Sequence, residues 1–85
     1  AILSIDGVSL EDGVAAIHAE EAMVDRMMME RAKETVIVAD SQKLGKEGFV
    51  YVCDLKDIDK LVTEKGAEPG IVRQIRDAGI EVILG

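Results

Sequence analysis

The fold of this chain is organised around the stretch VIVADSQKLG, residues 36–45. Four apolar residues, three of them β-branched, are followed directly by Asp40 and by a polar loop that contains Lys43 and a turn-forming Gly45. An unbroken apolar run is typical of a strand covered on both faces, as in the parallel sheets of α/β proteins. Ligands of such sheets bind outside the carboxyl ends of the strands, so Asp40 and Lys43 are candidates for a polar site. The alternative is a solvated loop that begins with a turn-favouring aspartate.

Further strands and two helices are predicted on both sides of this stretch. Apolar and β-branched runs predict strands near residues 2–5, 35–39, 49–53, 60–63 and 80–84. One helix is predicted from about residue 19 to residue 34, and a second is led by Pro69 and ends before Gly79. Residues 8–10 are predicted to form an extended bridge between two Asp-Gly turns, and residues 54–59 suit one short turn of helix. Residues 14–18 receive no clear assignment.

This order of elements predicts the α/β class, as one continuous layer system with an open, mostly parallel sheet and flanking helices. The strand, helix and strand between residues 60 and 84 form a βαβ unit, whose two strands should be parallel. The chain of 85 residues is enough for one small domain. Because it opens directly on the apolar run AILSI, we expect it to be a fragment of a larger protein.

Composition and charge exclude several classes of function. The formal net charge of -7 repels phosphate backbones, so this chain by itself should not bind nucleic acid. Cys53 has no disulfide partner, and no apolar run approaches the roughly 18 residues of a membrane span, which predicts a cytoplasmic protein without membrane contact. The single His18 has no second ligand at metal-binding spacing, and no phosphate-binding glycine motif is present. We therefore predict neither a metal nor a cofactor.

Five charged residues near predicted loop ends are the candidate ligand-binding residues: Asp6, Glu21, Arg26, Asp40 and Lys43. Lysine and arginine side chains can hold an anion, and carboxylates can accept hydrogen bonds from hydroxyl groups. If the five converge, they suit a phosphorylated polyol, with one charged end and several hydroxyl groups. The spacing alone leaves open whether they converge, and it nominates no catalytic residue.

The succession of motifs resembles the sensor domain of DeoR-type transcriptional repressors, over essentially the whole chain. The resemblance rests on Asp-Gly-Val at residues 6–8, Glu-Asp-Gly at 11–13, Glu-Ala at 21–22, Arg-Met at 26–27, the long segment VIVADSQKLGKEGFVYVCDLKDIDKLVTE at 36–64, and a proline-led helix followed by EVIL at 81–84. Its sharpest part is Ala-Asp-Ser at 39–41 with Lys43 and Gly45. The chain departs from the family at Ala15 and Ala16, where threonines are usual, and at Asp25, where a basic residue is frequent.

The resemblance implies a bacterial regulator whose sensor binds a sugar phosphate and whose DNA-binding module, an upstream winged helix-turn-helix, lies outside this chain. On this interpretation the chain is the C-terminal part of the sensor, the first part is absent, and the fold is a fragment similar to that of ribose-5-phosphate isomerases. Asp6, Glu21, Arg26, Asp40 and Lys43 would then line the sugar-phosphate pocket, and the protein would form a homo-oligomer.

Two other interpretations remain open at this point. The chain could be a fragment of a sugar-phosphate isomerase, because those enzymes also have an aspartate and a lysine separated by two residues after a buried strand. It could also serve mainly as an interface module, since four methionines lie between residues 23 and 29 of the first predicted helix.

Overall fold

The computed structural model describes residues 1–45 and 50–85. Within them lie seven strands: β1 (Ile2–Ser4), β2 (Gly7–Ser9), β3 (Gly13–Ala16), β4 (Val36–Val38), β5 (Val50–Cys53), β6 (Lys60–Thr63) and β7 (Glu81–Leu84). Two helices accompany them: α1 (Ala19–Arg31) and α2 (Pro69–Asp77). Two short 3₁₀ turns, Ser41–Lys43 and Leu55–Asp57, follow β4 and β5 respectively.

The strands form a parallel main sheet and a smaller antiparallel sheet. The main sheet has the order β1-β4-β6-β7 with every pair parallel, and its centre is Ile37, which pairs with Leu3 on one side and Leu61 on the other. The small sheet has the order β2-β3-β5 and is antiparallel throughout. The predicted α/β class, with a mostly parallel main sheet and a parallel βαβ unit at the end of the chain, is confirmed.

In the described part of the chain, one face of the main sheet is covered and the other is not, which corrects the prediction that β4 is buried on both faces. The centre of β4, Ile37, is fully buried, as is Leu61 beside it. Side chains that point to the opposite face remain open to solvent: Ile2 is 72%, Val38 38% and Ile83 40% exposed. We call this the bare face of the main sheet. Successive side chains of a strand point to opposite faces, so the same strands supply both the core and the bare face.

The N-terminal segment differs from its prediction, because residues 7–16 form a hairpin. Most of the predicted extended bridge at residues 8–10 is the strand β2, and residues 14–16, which had no assignment, form most of its partner β3. Val8 and Val14 are directly paired and fully buried, so the hairpin is held by core packing. The local sequence does not indicate the strand β3, because Ala15 and Ala16 are helix formers. Tertiary contacts override their helix propensity.

The strand β5 joins the hairpin instead of the main sheet, so the predicted single continuous layer system is wrong on this point. Its residues pair with β3, and Val52 and Cys53 face the core. The strand prediction also included Phe49, which lies outside the described residues. The predicted helical turn near residues 54–59 is confirmed as the 3₁₀ turn after β5, where the carboxylate of Asp57 accepts from the backbone of Asp54 at 3.1 Å.

The first helix is shorter than predicted, since α1 ends at Arg31 and Ala32 already has extended backbone angles. Lys33 and Glu34 therefore lie beyond its last turn. The second helix begins at Pro69 as predicted, and Gly79, just after its end, has a φ of +96°. Its buried residues Val72 and Ile75 belong to the same core as the main sheet.

The start of α2 leads to a prediction about stability in acid. The Glu68 carboxylate accepts hydrogen bonds from the backbone N–H groups of Gly70 and Ile71, each at 2.9 Å, and these bonds lower the pKa of Glu68 below its ordinary 4.5. A lowered pKa in the folded state adds stability above the unfolded-state pKa, and this stability is lost as the pH falls through the folded-state value. We expect Glu68→Gln to flatten the fall in melting temperature below about pH 4.5. A melting series from pH 7 to acid, compared with Glu81→Gln, would show this difference, and identical curves would contradict it.

Candidate functional site

The loop after β4 places an acid and a base on one turn at the carboxyl edge of the main sheet. Asp40 precedes the 3₁₀ turn, and its carbonyl accepts a hydrogen bond from the Lys43 N–H at 3.0 Å. The loop is held from both sides. Glu64, after β6, accepts from the Ser41 N–H at 2.9 Å, and the carbonyl of Val8 accepts from the Gly45 N–H at 2.6 Å. These bonds fix the backbone from which the side chains of Asp40 and Lys43 project.

Asp6 is positioned at the same edge by the junction of β1 and β2. Its N–H donates to the carbonyl of Ala15 at 3.0 Å, and its Oδ2 accepts from the Ile17 N–H at 3.0 Å. One carboxylate oxygen is thus occupied by the backbone. The other, Oδ1, faces Lys43.

The structure brings Asp6, Asp40 and Lys43 together, and we call these three residues the Lys43 cluster. The Lys43 ammonium lies 3.8 Å from Asp6 Oδ1 and 4.0 Å from Asp40 Oδ2. Neither distance is that of a hydrogen bond, and the side chains of Lys43, Asp6 and Asp40 are 36%, 25% and 51% exposed. Such open ion pairs contribute little to stability. The ammonium donors and the free carboxylate oxygens therefore remain available to a ligand.

An open cleft of about 290 Å³ lies beside the cluster, at the carboxyl ends of β4, β6 and β7. Asp40, Thr63 and Glu64 line it. The Thr63 hydroxyl is buried and has no hydrogen-bond partner within the described part of the chain. Thr63 and Glu64 are not among the residues predicted from the sequence, although the rule that indicates the end of β4 applies equally to the end of the neighbouring strand β6.

Glu21, on the first turn of α1, belongs to an acidic group that adjoins Asp6. It lines a shallow cleft of about 330 Å³ together with Ser4 and Asp25. Burial, followed by the charges of Glu21 and Asp6, raises the pKa of Asp25. Asp25 is therefore close enough to both Glu21 and Asp6 to be repelled by their carboxylates. In the sequence, Asp25 stands out only as a departure from the family.

Arg26 takes part in a different contact from the one expected. Its guanidinium donates to the carbonyl of Tyr51 at 2.7 Å, and the side chain lines a cleft between α1 and β5. Among residues 1–45 and 50–85, no ion pair joins Arg26 to the Lys43 cluster. The contact with β5 anchors α1 to the small sheet.

Other chemistry is limited in this structure. Burial raises the pKa of the Cys53 thiol to about 12, so at neutral pH it stays protonated and is a poor nucleophile. In the part of the chain that the structure describes, no group of three or more His, Cys, Asp or Glu side chains could hold a metal ion. None of the described helices is both long and apolar enough to cross a membrane.

Comparison with known proteins connects this geometry to a family of regulators. The model of the DeoR C-terminal sensor domain matches residues 1–65. A putative aga operon transcriptional repressor of Escherichia coli O157:H7 is 33% identical over 96% of this chain and 30% of its own length. The transcriptional repressor GlcR of Bacillus subtilis is 31% identical over 99% of this chain and 32% of its own length. The glycerol-3-phosphate regulon repressor of Haemophilus influenzae is 26% identical over 98% of this chain and 32% of its own length.

The chain therefore spans about a third of the length of these curated relatives. Their names describe transcriptional regulators, and they give no support to the isomerase alternative. The matched segment contains all of the Lys43 cluster, both strands that lead into it and the helix α1. On the strength of the family match and these identities, the chain belongs to the DeoR C-terminal sensor domain family.

Proposed function

We propose that this chain is the C-terminal part of the effector-sensing domain of a cytoplasmic transcriptional repressor of sugar metabolism, and that its effector is a sugar phosphate. The family match supports a sensing role, and the names of two relatives contain the word repressor together with an operon or a regulon. We further propose that the first part of the sensor and a winged helix-turn-helix belong to the same longer protein. The charge of -7 favours this division, because DNA contact needs a basic surface that this chain does not supply.

The observation that carries the proposal is the position of the Lys43 ammonium, 3.8 Å from Asp6 and 4.0 Å from Asp40, at the carboxyl edge of a parallel sheet. Open α/β sheets bind their ligands at this edge. A cation between two carboxylates can meet a phosphate oxygen, while the carboxylates accept from the hydroxyl groups of the same ligand.

The balance of charge indicates how such a ligand would be oriented. Among the residues that the structure describes, the cluster holds two carboxylates and one ammonium, and Glu64 adds a third carboxylate beside the cleft. An excess of acid favours hydroxyl groups over a dianion. We therefore propose that the Lys43 cluster and Glu64 bind the polyol end of the effector, and that Lys43 contacts the nearest phosphate oxygen. The remaining phosphate contacts would come from the first part of the sensor. The name of the Haemophilus relative, which refers to glycerol 3-phosphate, fits a ligand of this chemical class.

The bare face of the main sheet supports the proposal that the first part of the sensor packs against this chain. Ile2, Val38 and Ile83 on this face are each more than a third exposed. The strand β1 is paired with β4 alone among the described strands, so its other edge is open to a further strand. Parallel sheets occur almost only with both faces covered, and the relatives are about three times as long as this chain.

The proposed response is a shift between conformational states of the sensor. A sugar phosphate would bind better to one arrangement of the two parts of the sensor, and the attached DNA-binding domains would change their affinity for the operator by the same coupling free energy. The loop after β4 is hydrogen-bonded to Val8 in β2 and to Glu64 after β6. A ligand that moves this loop would therefore also move β2 and the end of β6.

Removing the ammonium tests the site directly. We expect Lys43→Met, in the full-length protein that carries this chain, to weaken the binding of glycerol 3-phosphate or ribose 5-phosphate by roughly 10- to 100-fold, since a hydrogen bond to a charged group is worth about 1.5–3 kcal/mol. Isothermal titration calorimetry measures the affinity. Glycerol and inorganic phosphate, titrated separately, distinguish the two ends of the ligand.

The matched control is Lys56→Met, which removes an exposed lysine from the second 3₁₀ turn, away from the cluster. This variant should bind like the parent protein. If Lys43→Met and Lys56→Met bind equally well, the Lys43 cluster is not the site. If no sugar phosphate binds at millimolar concentration, the sensing proposal itself fails.

A further inference from the structure

The helix α1 turns its apolar side away from the core. Its inner side contains the buried Ala22 and the half-buried Asp25, Arg26 and Met29. Its outer side carries four large apolar residues that are between 44% and 58% exposed: Met23, Val24, Met27 and Met28. A surface helix normally has the reverse arrangement, with polar residues outside. A contiguous apolar face of this kind marks an interaction site.

Charges at the two ends of this outer side are opposite in sign. Residues i, i+4, i+7 and i+11 lie along one stripe of an α-helix, so Glu20, Val24, Met27 and Arg31 are aligned, with Met23 and Met28 on the flanks. The acid is in the first turn and the base is in the last turn of the 13-residue helix. We call this surface, from Glu20 to Arg31, the α1 stripe.

We propose that the α1 stripe binds the α1 stripe of a second copy of this chain, in an antiparallel pair related by a two-fold axis. A two-fold axis through the midpoint of Val24 and Met27 sets each Val24 against the partner's Met27. The same operation sets each Glu20 beside the partner's Arg31, so that both ends of the interface carry an ion pair of opposite charges. The resemblance to the family implies a homo-oligomer without naming a surface, whereas this proposal names one. It does not depend on effector binding.

This complementarity is what favours a second copy over another occupant. A parallel arrangement would place acid against acid and base against base, which is unfavourable. Methionine side chains adapt to one another across an interface, as the centre of this pair requires. One pair of helices of this length, about 20 Å, buries less than the roughly 1,200 Å² of a standard interface, so we expect association in the micromolar range or weaker.

A charge-swap experiment tests the geometry. Sedimentation equilibrium of the chain between about 1 and about 100 µM should show a reversible dimer. Glu20→Arg and Arg31→Glu, made singly, should each raise the dissociation constant roughly tenfold, because by symmetry each change creates two repulsive contacts. The double variant, E20R with R31E, should return to within about threefold of the parent value. Met27→Asp, at the centre, should be monomeric over the whole range.

Controls distinguish the loss of this interface from misfolding and from a failure of the proposed function. Arg73→Glu makes the same charge reversal on the exposed side of α2 and should leave association unchanged. Circular dichroism should show the parent helix content for every variant, since Glu20, Met27 and Arg31 are exposed.

Association that persists in all α1 variants would overturn this interface, while oligomerisation as such would stand. A parent chain that is monomeric over the whole concentration range would overturn both the α1 interface and oligomerisation. Sensing by the Lys43 cluster is tested separately, by calorimetry.

Discussion

Replacing Ile37 by alanine is expected to lower the free energy of unfolding by about 3 kcal/mol, within the range of roughly 2–5 kcal/mol for large-to-small changes in a core. Ile37 is fully buried at the centre of the main sheet, between Leu3 and Leu61. The alanine would leave a cavity that rigid strands on both sides cannot fill. Urea unfolding followed by circular dichroism measures the change.

The matched substitution is Ile83→Ala, which removes the same atoms from the bare face. Ile83 is 40% exposed, so we expect a loss of about 1 kcal/mol or less. Equal losses at the two positions would contradict the one-sided burial of the sheet. In a longer protein whose first part covers the bare face, the loss at Ile83 should rise towards that at Ile37, which makes this pair of variants a test of the proposed packing as well.

Replacing Gly13 by alanine is expected to destabilise the chain by roughly 2–5 kcal/mol, for two separate reasons. Gly13 has a φ of +72°, a conformation that L-residues other than glycine adopt only with strain. A Cβ at this position would also collide with the backbone carbonyl of Cys53 and lie 3.1 Å from the Cα of Asp54. Backbone atoms of a paired strand cannot move aside cheaply, so the junction of β3 and β5 must shift.

The control for Gly13 separates strain from collision. Gly79 has a φ of +96°, but nothing lies within 4 Å of a Cβ built there. Gly79→Ala should therefore show only the conformational cost, roughly 1–2 kcal/mol. Thermal unfolding of both variants measures the difference. If Gly13→Ala is no worse than Gly79→Ala, the close approach of β3 to β5 is not as the structure has it.

Much of the candidate site could be predicted from local sequence. The spacing of Asp40 and Lys43 on a loop after a β-branched run was enough to place both at the edge of a parallel sheet. Asp6 is a candidate because it lies at a predicted loop end and in the Asp-Gly-Val motif of the resemblance, and its carboxylate lies 3.8 Å from the Lys43 ammonium. Arg26 is a candidate because of its charge, its predicted position and the Arg-Met motif of the resemblance, none of which specifies the direction of the side chain, so the hydrogen bond to Tyr51 in β5 is found only in the structure.

Thr63 and Glu64 were missed for a different reason. The segment that contains them is correctly predicted as a strand end, where the carboxyl-edge rule applies, but no motif singles out these two residues as partners of the loop after β4. Their importance comes from the order of strands in the sheet, which sets β6 directly beside β4. Asp25 was similarly overlooked, since its proximity to Asp6 depends on how α1 lies against the sheet.

Local sequence is sufficient to predict most of the extended and helical segments, with β3 as the exception, because these properties depend on neighbouring residues: the β-branched run of β4, the proline at the start of α2 and the glycine after it. Four features appear only in the folded chain: β5 leaves the main sheet, one face of that sheet is bare, Asp6 lies beside Lys43, and α1 turns three of its methionines outward. Each of these depends on contacts between residues far apart in the chain, whose free energy no local pattern contains.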